Sequence, residues 1–149
     1  MRKVSFLPDQ CVTCGTCSIS CAVVHSVSGD LTGAALEDPA PRSRVHIGEK
    51  NGKLRLVRCR NCRKAKCMAA CPEHAIKKNA QQYVLIDEKL CNGCWKCVEA
   101  CPFGAIVRSD DGKVAQKCDS CLDRPMPACV ESCNVKALKV EEVVMEEEG

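Results

Sequence analysis

The stretch CNGCWKCVEACP, residues 91–102, contains four cysteines and ends on a cysteine followed by proline. Three other parts of the chain repeat this arrangement, at residues 11–21, 59–72 and 118–133. Each motif has a close group of cysteines and ends with two cysteines separated by three residues. All 16 cysteines of the 149-residue chain belong to these four motifs. The repeat is therefore the feature that organises the chain.

The spacing within each motif is that of the ligands of a cubane iron–sulfur cluster. A cubane has an iron atom at each of four corners, and three cysteines two residues apart can bind three of them from one loop. The fourth ligand must then come from elsewhere in the chain. Gly15 and Gly93 each lie beside a cysteine, where the missing side chain lets the backbone approach a cluster. The four motifs predict four [4Fe-4S] clusters.

Zinc is the alternative metal. All-cysteine zinc sites usually consist of two Cys-x2-Cys pairs separated by a longer stretch, which motifs two and four could provide but the triplets at 11–17 and 91–97 do not. A zinc-dependent nucleic-acid-binding protein would also interleave basic and aromatic residues. The chain has one Trp, one Tyr and two Phe, so this pattern is missing. The sequence therefore favours iron and sulfur and predicts no nucleic-acid partner.

The composition leaves little material for an ordinary hydrophobic core, since aromatic residues make up only 3% of the chain. We expect the clusters to fill the interior and the cluster-free protein to be unfolded or molten.

A disulfide scaffold is disfavoured because no apolar signal segment follows the N-terminus. The longest apolar runs fall far short of the ~20 residues of a membrane span. The sequence predicts a soluble, cytoplasmic protein.

The formal charge of +3 counts every cysteine as neutral. Each oxidised cluster with four thiolates carries about −2, so four clusters would bring the protein to about −5. The basic residues between Arg55 and Lys66 either dock an acidic partner or balance cluster charge. We expect the acidic tail at 141–148, which could form a helix, to be solvated. Contact between the tail and a neighbouring subunit, including another copy of the chain, is the alternative.

Strand and turn signals predict three β-hairpins. Segments 44–47 and 53–57 flank Asn51-Gly52, segments 75–76 and 83–86 flank residues 77–79, and segments 105–107 and 113–115 flank residues 110–112. Each cysteine triplet is predicted in a loop and each fourth cysteine on a short helix. Residues 26–43 predict a surface loop. Together these elements predict an α+β fold.

The chain resembles the four-cluster ferredoxin-like electron-transfer subunits of the dimethyl sulfoxide reductase and formate dehydrogenase type, and the related subunits of hydrogenases and carbon monoxide dehydrogenase. The motifs Cys-x2-Cys-x4-Cys-x3-Cys-Pro at 59–72 and Cys-x2-Cys-x7-Cys-x3-Cys at 118–133 carry the resemblance, because simple ferredoxins lack their longer gaps. The resemblance implies two ferredoxin-like double-cluster modules with little regular core. The outer module would comprise residues 1–57 plus 106–149, and the inner module residues 58–105.

The resemblance also implies a nested pairing of the ligands in four sets, each named here by its first cysteine. The Cys11 set is Cys11, Cys14, Cys17 and Cys133; the Cys118 set is Cys118, Cys121, Cys129 and Cys21; the Cys59 set is Cys59, Cys62, Cys67 and Cys101; the Cys91 set is Cys91, Cys94, Cys97 and Cys71. Some relatives replace one cysteine of motif three with tryptophan and carry a three-iron cluster. Here Trp95 follows Cys94 and all four cysteines are present, so four cubanes are expected.

Electron transfer is the function that four such centres imply. The chain would be a cytoplasmic subunit that connects a catalytic subunit to an electron acceptor or donor, which could be a soluble ferredoxin. The catalytic subunit would be of the formate dehydrogenase, tungsten aldehyde oxidoreductase, hydrogenase or carbon monoxide dehydrogenase type. The alternative is a free-standing polyferredoxin that moves electrons between enzymes. The sequence has no phosphate-binding loop or Ser/His/Asp arrangement and leaves no cysteine spare, so the chain itself is predicted not to be an enzyme.

Two residues near the motifs have two interpretations each. His25, four residues after Cys21, could donate a hydrogen bond to cluster sulfur or could be an ordinary packing histidine. Trp95 could shield a cluster from water or could simply pack.

Overall fold

The computed structural model describes residues 1–144, and in this part of the chain the regular elements are short. The strands are β1 Arg2–Phe6, β2 His46–Lys50, β3 Lys53–Val57, β4 Ile76–Lys78, β5 Val84–Ile86, β6 Ile106–Arg108, β7 Ala115–Lys117 and β8 Leu138–Glu142. The helices are α1 Thr16–Val24, α2 Leu31–Leu36, α3 Lys66–Ala70, α4 Lys96–Ala100 and α5 Ala128–Glu131, with a 3₁₀ turn at Pro8–Gln10. The predicted α+β class with little regular core is confirmed.

The three predicted hairpins form, as the antiparallel pairs β2–β3, β4–β5 and β6–β7. At the first turn Asn51 and Gly52 have φ values of 54° and 72°, the left-handed conformation that a two-residue type I′ turn requires. In the third hairpin the second strand begins at Ala115, later than predicted. The reason is that the Ser109 hydroxyl accepts hydrogen bonds from the amides of Lys113 and Val114, which keeps both residues in the turn.

A fourth antiparallel pair joins the two ends of the described chain and was not predicted. Strand β1 pairs with β8 from Arg2 opposite Glu142 to Phe6 opposite Leu138. The strands lie more than 130 residues apart, so no turn signal connects them. Glu141 and Glu142 belong to β8, and for these two residues the helical alternative is wrong. Residues 145–148 of the acidic tail lie outside the described residues.

The predicted surface loop at residues 26–43 contains a helix, α2. The Asp30 carboxylate accepts a hydrogen bond from the Gly33 amide at 2.8 Å, which caps the first turn of this helix. Within this helix, Ala34 is the buried residue. The prediction of an irregular loop over the whole segment is therefore wrong for Leu31–Leu36.

Each cysteine motif runs from a loop into a helix. The third cysteine already lies within the helix in every motif, so only the first two stay in the loop. These third cysteines are Cys17 in α1, Cys67 in α3, Cys97 in α4 and Cys129 in α5. The fourth cysteine lies inside α1 in motif one and at or just beyond the helix end in the other three.

Two small groups of buried side chains form the interior. One contains Ala65, Ile76, Val84, Cys97, Ile106 and Ala115. The other contains Cys17, Cys21, Val45, Cys129 and Leu138. Ile106 and Ala115 belong to the first of these groups, although the family resemblance implies that they lie in the outer module. The module boundary at residue 106 stays a prediction. In both groups cysteine thiols form part of the buried surface.

Candidate iron–sulfur ligand sites

Three of the four predicted cysteine sets each line one cavity. The thiols of the Cys11 set line a cavity with Phe6 and Leu138, those of the Cys59 set a cavity with Val84 and Ile106, and those of the Cys91 set a cavity with Trp95. Among the described residues, no three His, Cys, Asp or Glu side chains converge as ligands of a single ion would. In these three sets the cysteines line a shared space, which fits a cluster with four corner ligands.

The fourth set is brought together around Cys129. Burial is the largest of the effects that together raise the pKa of Cys129 to about 12; the neighbouring thiols of Cys118, Cys21 and Cys121 act in the same direction, and the charge of Arg58 opposes them. Burial, and then the nearby Cys91 thiol, likewise raises the pKa of Cys97 to about 11. These thiols are protonated in the metal-free chain at neutral pH. Cluster binding at these sites would therefore release protons.

A left-handed backbone conformation recurs two residues after the first cysteine of every motif. The φ values are 53° at Thr13, 49° at Asn61, 71° at Gly93 and 63° at Ser120. At Thr13, Asn61 and Ser120 the amide donates a hydrogen bond to the first cysteine's Sγ at 3.4 Å. Amide donors stabilise thiolates and lower the cost of adding negative charge at a cluster. The sequence showed this position only at Gly93, because the other three motifs use ordinary side chains there.

His25 lies against the Cys118 set. Its Nδ1 is 2.7 Å from the Cys21 carbonyl oxygen and 3.7 Å from Cys21 Sγ, and its Nε2 is 3.0 Å from the Asp119 carboxylate. Burial opposes a charge on the ring, but the hydrogen bonds to Asp119 and Cys21 outweigh it and raise the pKa of His25 to about 10. Arg44 also contacts Asp119, at 3.4 Å. His25 thus lies beside Cys21 Sγ, but the shorter contact of its Nδ1 is with the Cys21 carbonyl oxygen, and both interpretations of His25 stay predictions. Asp119 was missed because 94 residues separate it from His25.

Two buried cations lie where the Cys59 set meets the Cys118 set. Arg58 is only 7% exposed, and its NH2 donates to Cys118 Sγ at 3.5 Å and to Ser120 Oγ at 3.3 Å. Lys117 is 4% exposed, and its ammonium group donates to the carbonyls of Val84 and Cys118. The Asn61 side chain completes the junction with a hydrogen bond to Ser120 Oγ at 3.3 Å. Arg58 therefore points inward and is not part of a solvated face.

The four sets follow one another in series. Helix α1 carries Cys17 of the Cys11 set and Cys21 of the Cys118 set, and it packs on α5. Helices α3 and α4 pack together and link the Cys59 and Cys91 sets in the same way. The Arg58 junction joins the two middle sets. Two of the sixteen cysteines are exposed, Cys14 in the first set of the series and Cys94 in the last.

Trp95 covers the Cys91 set from an uncommon backbone conformation. Its φ of 64° is left-handed, which is rare for a bulky residue, and its side chain lines the cavity of that set. The Arg108 guanidinium stacks over the indole at 4.4 Å from the ring centre. This position fits both interpretations of Trp95, as a residue that shields a cluster from water and as an ordinary packing residue. The strained backbone adds weight to shielding, because such strain persists mainly at functional sites.

Replacing Arg58 with glutamine is expected to lower the reduction potentials of the two middle clusters in the holo-protein. A buried positive charge beside a thiolate-bound cluster favours the added electron, and its loss should cost about 60 mV, which is tenfold in the ratio of reduced to oxidised cluster. Redox titration followed by EPR would measure the shift.

The conservative variant Arg58→Lys keeps the charge, so the reduction potentials of the two middle clusters should stay close to those of the wild-type protein. Arg55→Gln removes an exposed charge three residues away and serves as the matched control. An equal shift in Arg55→Gln, or unchanged potentials in Arg58→Gln, would contradict the role assigned to the buried charge.

The comparisons with known proteins agree on the class of site. A family model described as a 4Fe-4S dicluster domain matches residues 54–143. An "Iron-sulfur protein" of Rhodospirillum rubrum is 38% identical, over 89% of this chain and 78% of the relative. The "Putative electron transport protein YsaA" of Escherichia coli K12 is 37% identical, over 90% of this chain and 85% of the relative. The "Thiosulfate reductase electron transfer subunit PhsB" of Salmonella typhi is 31% identical, over 87% of this chain and 70% of the relative.

A solved structure has the same fold. A chain of the "Active site complex BamBC of Benzoyl Coenzyme A reductase" superimposes with a TM-score of 0.56 at 22% identity, covering 99% of this chain and 82% of that one. No helix among the described residues has the length and apolarity needed to cross a bilayer.

Proposed function

Because this chain belongs to the 4Fe-4S dicluster domain family, we propose that it is an electron-transfer subunit that carries four [4Fe-4S] clusters in a cytoplasmic oxidoreductase complex. Its partner would be a catalytic subunit of the molybdenum or tungsten, hydrogenase or carbon monoxide dehydrogenase type. The similarity to a thiosulfate reductase electron transfer subunit supports a role beside a catalytic chain. The sixteen thiols would bind the clusters in the four nested sets.

The observation that carries the proposal is the series of four thiol sets with an exposed cysteine in each end set. Cys14 and Cys94 bring the first and last sites to the surface, whereas the Cys118 set has three buried cysteines, and Cys118 itself is half-buried. An exposed end lets a partner's redox centre approach, and tunnelling falls steeply with distance. The arrangement therefore suits electrons that enter at one end and leave at the other.

The chain's own residues shape this path in three ways. The cysteine sets hold each site, and the amides of Thr13, Asn61 and Ser120 stabilise thiolate charge. Arg58 and Lys117 balance charge at the middle junction. When bound, the clusters would supply one-electron transfer, with potentials set by burial, hydrogen bonds and nearby charge.

Anaerobic affinity purification from the native host, with mass spectrometry of stoichiometric partners, tests the proposal. Co-elution of a catalytic subunit that contains molybdenum, tungsten or nickel is the expected result. Iron and sulfide analysis of the same sample should give about sixteen of each per chain. A brown protein that elutes alone would contradict the subunit role and favour the free-standing polyferredoxin.

A further inference from the structure

A broad groove on the surface lies beside the Cys59 set. Its volume is about 510 Å³, and strands β1 and β3 and the loop of motif two form its walls. Val4, Phe6 and Leu56 supply an apolar floor. Cys59 and Cys62 also line it, so the site of the Cys59 set reaches the surface here.

Among the described residues that line this groove, every Arg, Lys, Asp or Glu side chain is basic. Five basic side chains line it and no acidic side chain does; the basic residues are Arg2, Lys3, Arg58, Arg60 and Arg63. Glu141 lies opposite Lys3 in β8 but does not line the groove. Five basic side chains are more than the contact between Arg58 and Cys118 needs, since that contact uses only one of them.

Three of these cations are held in place. The Arg2 guanidinium donates to the carbonyls of Cys121 at 3.0 Å and Arg124 at 2.9 Å. Arg60 stacks over the ring of Phe103 at 4.2 Å, and Phe103 lines the cavity of the Cys59 set. Arg58 is 7% exposed, and its NH2 donates to Cys118 Sγ and Ser120 Oγ. A preorganised positive surface of this kind attracts an acidic partner at little entropic cost.

We infer that the groove docks an acidic, ferredoxin-type electron-transfer protein and exchanges electrons with it directly at the Cys59 site. This inference rests on the proposed function and adds a lateral connection to the series. A protein that carries thiolate-bound clusters gains about −2 per cluster, so such a partner is acidic by its own chemistry. The exchange moves one electron: the partner's cluster is oxidised by one unit, the cluster at the Cys59 site is reduced by one, and no bond forms or breaks.

Stopped-flow reduction of the holo-protein by a reduced, strongly acidic ferredoxin tests the inference. The double variant Lys3→Glu/Arg60→Glu should lower the second-order rate constant at least tenfold at low ionic strength. Its rate should also lose most of the decrease with added salt that the wild-type protein shows. The matched control is Lys50→Glu/Lys77→Glu, which makes the same change of charge at exposed residues outside the groove.

Arg60 lies between two ligand cysteines, so Lys3→Glu alone, placed on β1 outside the motif, provides a second variant with an expected several-fold loss. Equal losses in the groove and control variants, or an unchanged rate in Lys3→Glu, would overturn the inference. Iron content and reduction by dithionite, measured on each variant, separate a failed docking site from a failure of the proposed function.

Discussion

Removal of iron and sulfide from the holo-protein is expected to abolish its cooperative thermal transition. Every sheet in the described chain has only two strands, and such isolated hairpins are marginal in water. The helices are four to nine residues long, too short to be stable alone. The buried apolar residues are mostly cysteine and alanine, and within residues 1–144 the largest side chains below 2% exposure are those of Val45 and Val84. Without the clusters this interior has too little apolar surface to offset the lost chain entropy.

Near-UV circular dichroism and limited proteolysis measure this effect. The chelated protein should lose its near-UV signal and be cleaved within the cysteine motifs, and reconstitution with iron and sulfide should restore both properties. A sample that passes through the same buffers without chelator is the control. A chelated protein that stays protease-resistant would show that the side chains alone hold the fold.

Substitution of Gly93 by alanine is expected to eliminate the cluster of the Cys91 set, and with it about a quarter of the iron. A Cβ atom at this position would lie 2.5 Å from the carbonyl oxygen of Lys113, and the φ of +71° already disfavours any side chain. The position of a Cβ atom is fixed by its own backbone, and the Lys113 oxygen belongs to the backbone as well, so no side-chain rotation can relieve this contact. Relief requires the loop between Cys91 and Cys94 to move, which displaces two ligands of one set.

Gly104→Ala is the matched control, because Gly104 has a similar φ of +61° but nothing within 4 Å of the added carbon. This variant should lose only about 1 kcal/mol of stability, which is the conformational cost of a side chain at positive φ, and it should keep all its iron. Iron analysis and the visible absorption spectrum of the two variants give the comparison. A full complement of iron in Gly93→Ala would show that the contact with Lys113 relaxes without harm to the site.

The sequence predicts local features well and distant ones poorly, for a physical reason. The Asn51-Gly52 hairpin depends on two adjacent residues that accept a left-handed backbone, so its signal is complete within a few positions. The β1–β8 pair has no such signal, since its partners meet only through tertiary packing. The Asp30 cap of α2 was available in the sequence but was masked by surrounding Gly, Ser and Pro residues.

The candidate site divides in the same way. The cysteine positions follow directly from spacing, and the grouping into sets came from the family resemblance, to which the structure now adds shared cavities. The charged residues that surround the cysteines could not be predicted from the spacing. Arg58 looks like one of several surface cations in sequence, and only the fold shows its guanidinium against Cys118, 60 residues away. Asp119 beside His25 is a second case.

The pairing of the chain's two ends has a consequence for the order in which the protein matures. Cys11 precedes every other cysteine of the sequence, yet the cavity it lines is completed by Cys133, and β1 pairs only with β8. All eight cysteines of the Cys59 and Cys91 sets lie between residues 59 and 101, so both sets are translated before Cys133. Assembly in the cell should therefore proceed from the middle of the sequence outward, and the N-terminal thiols would depend longest on protection from oxidants.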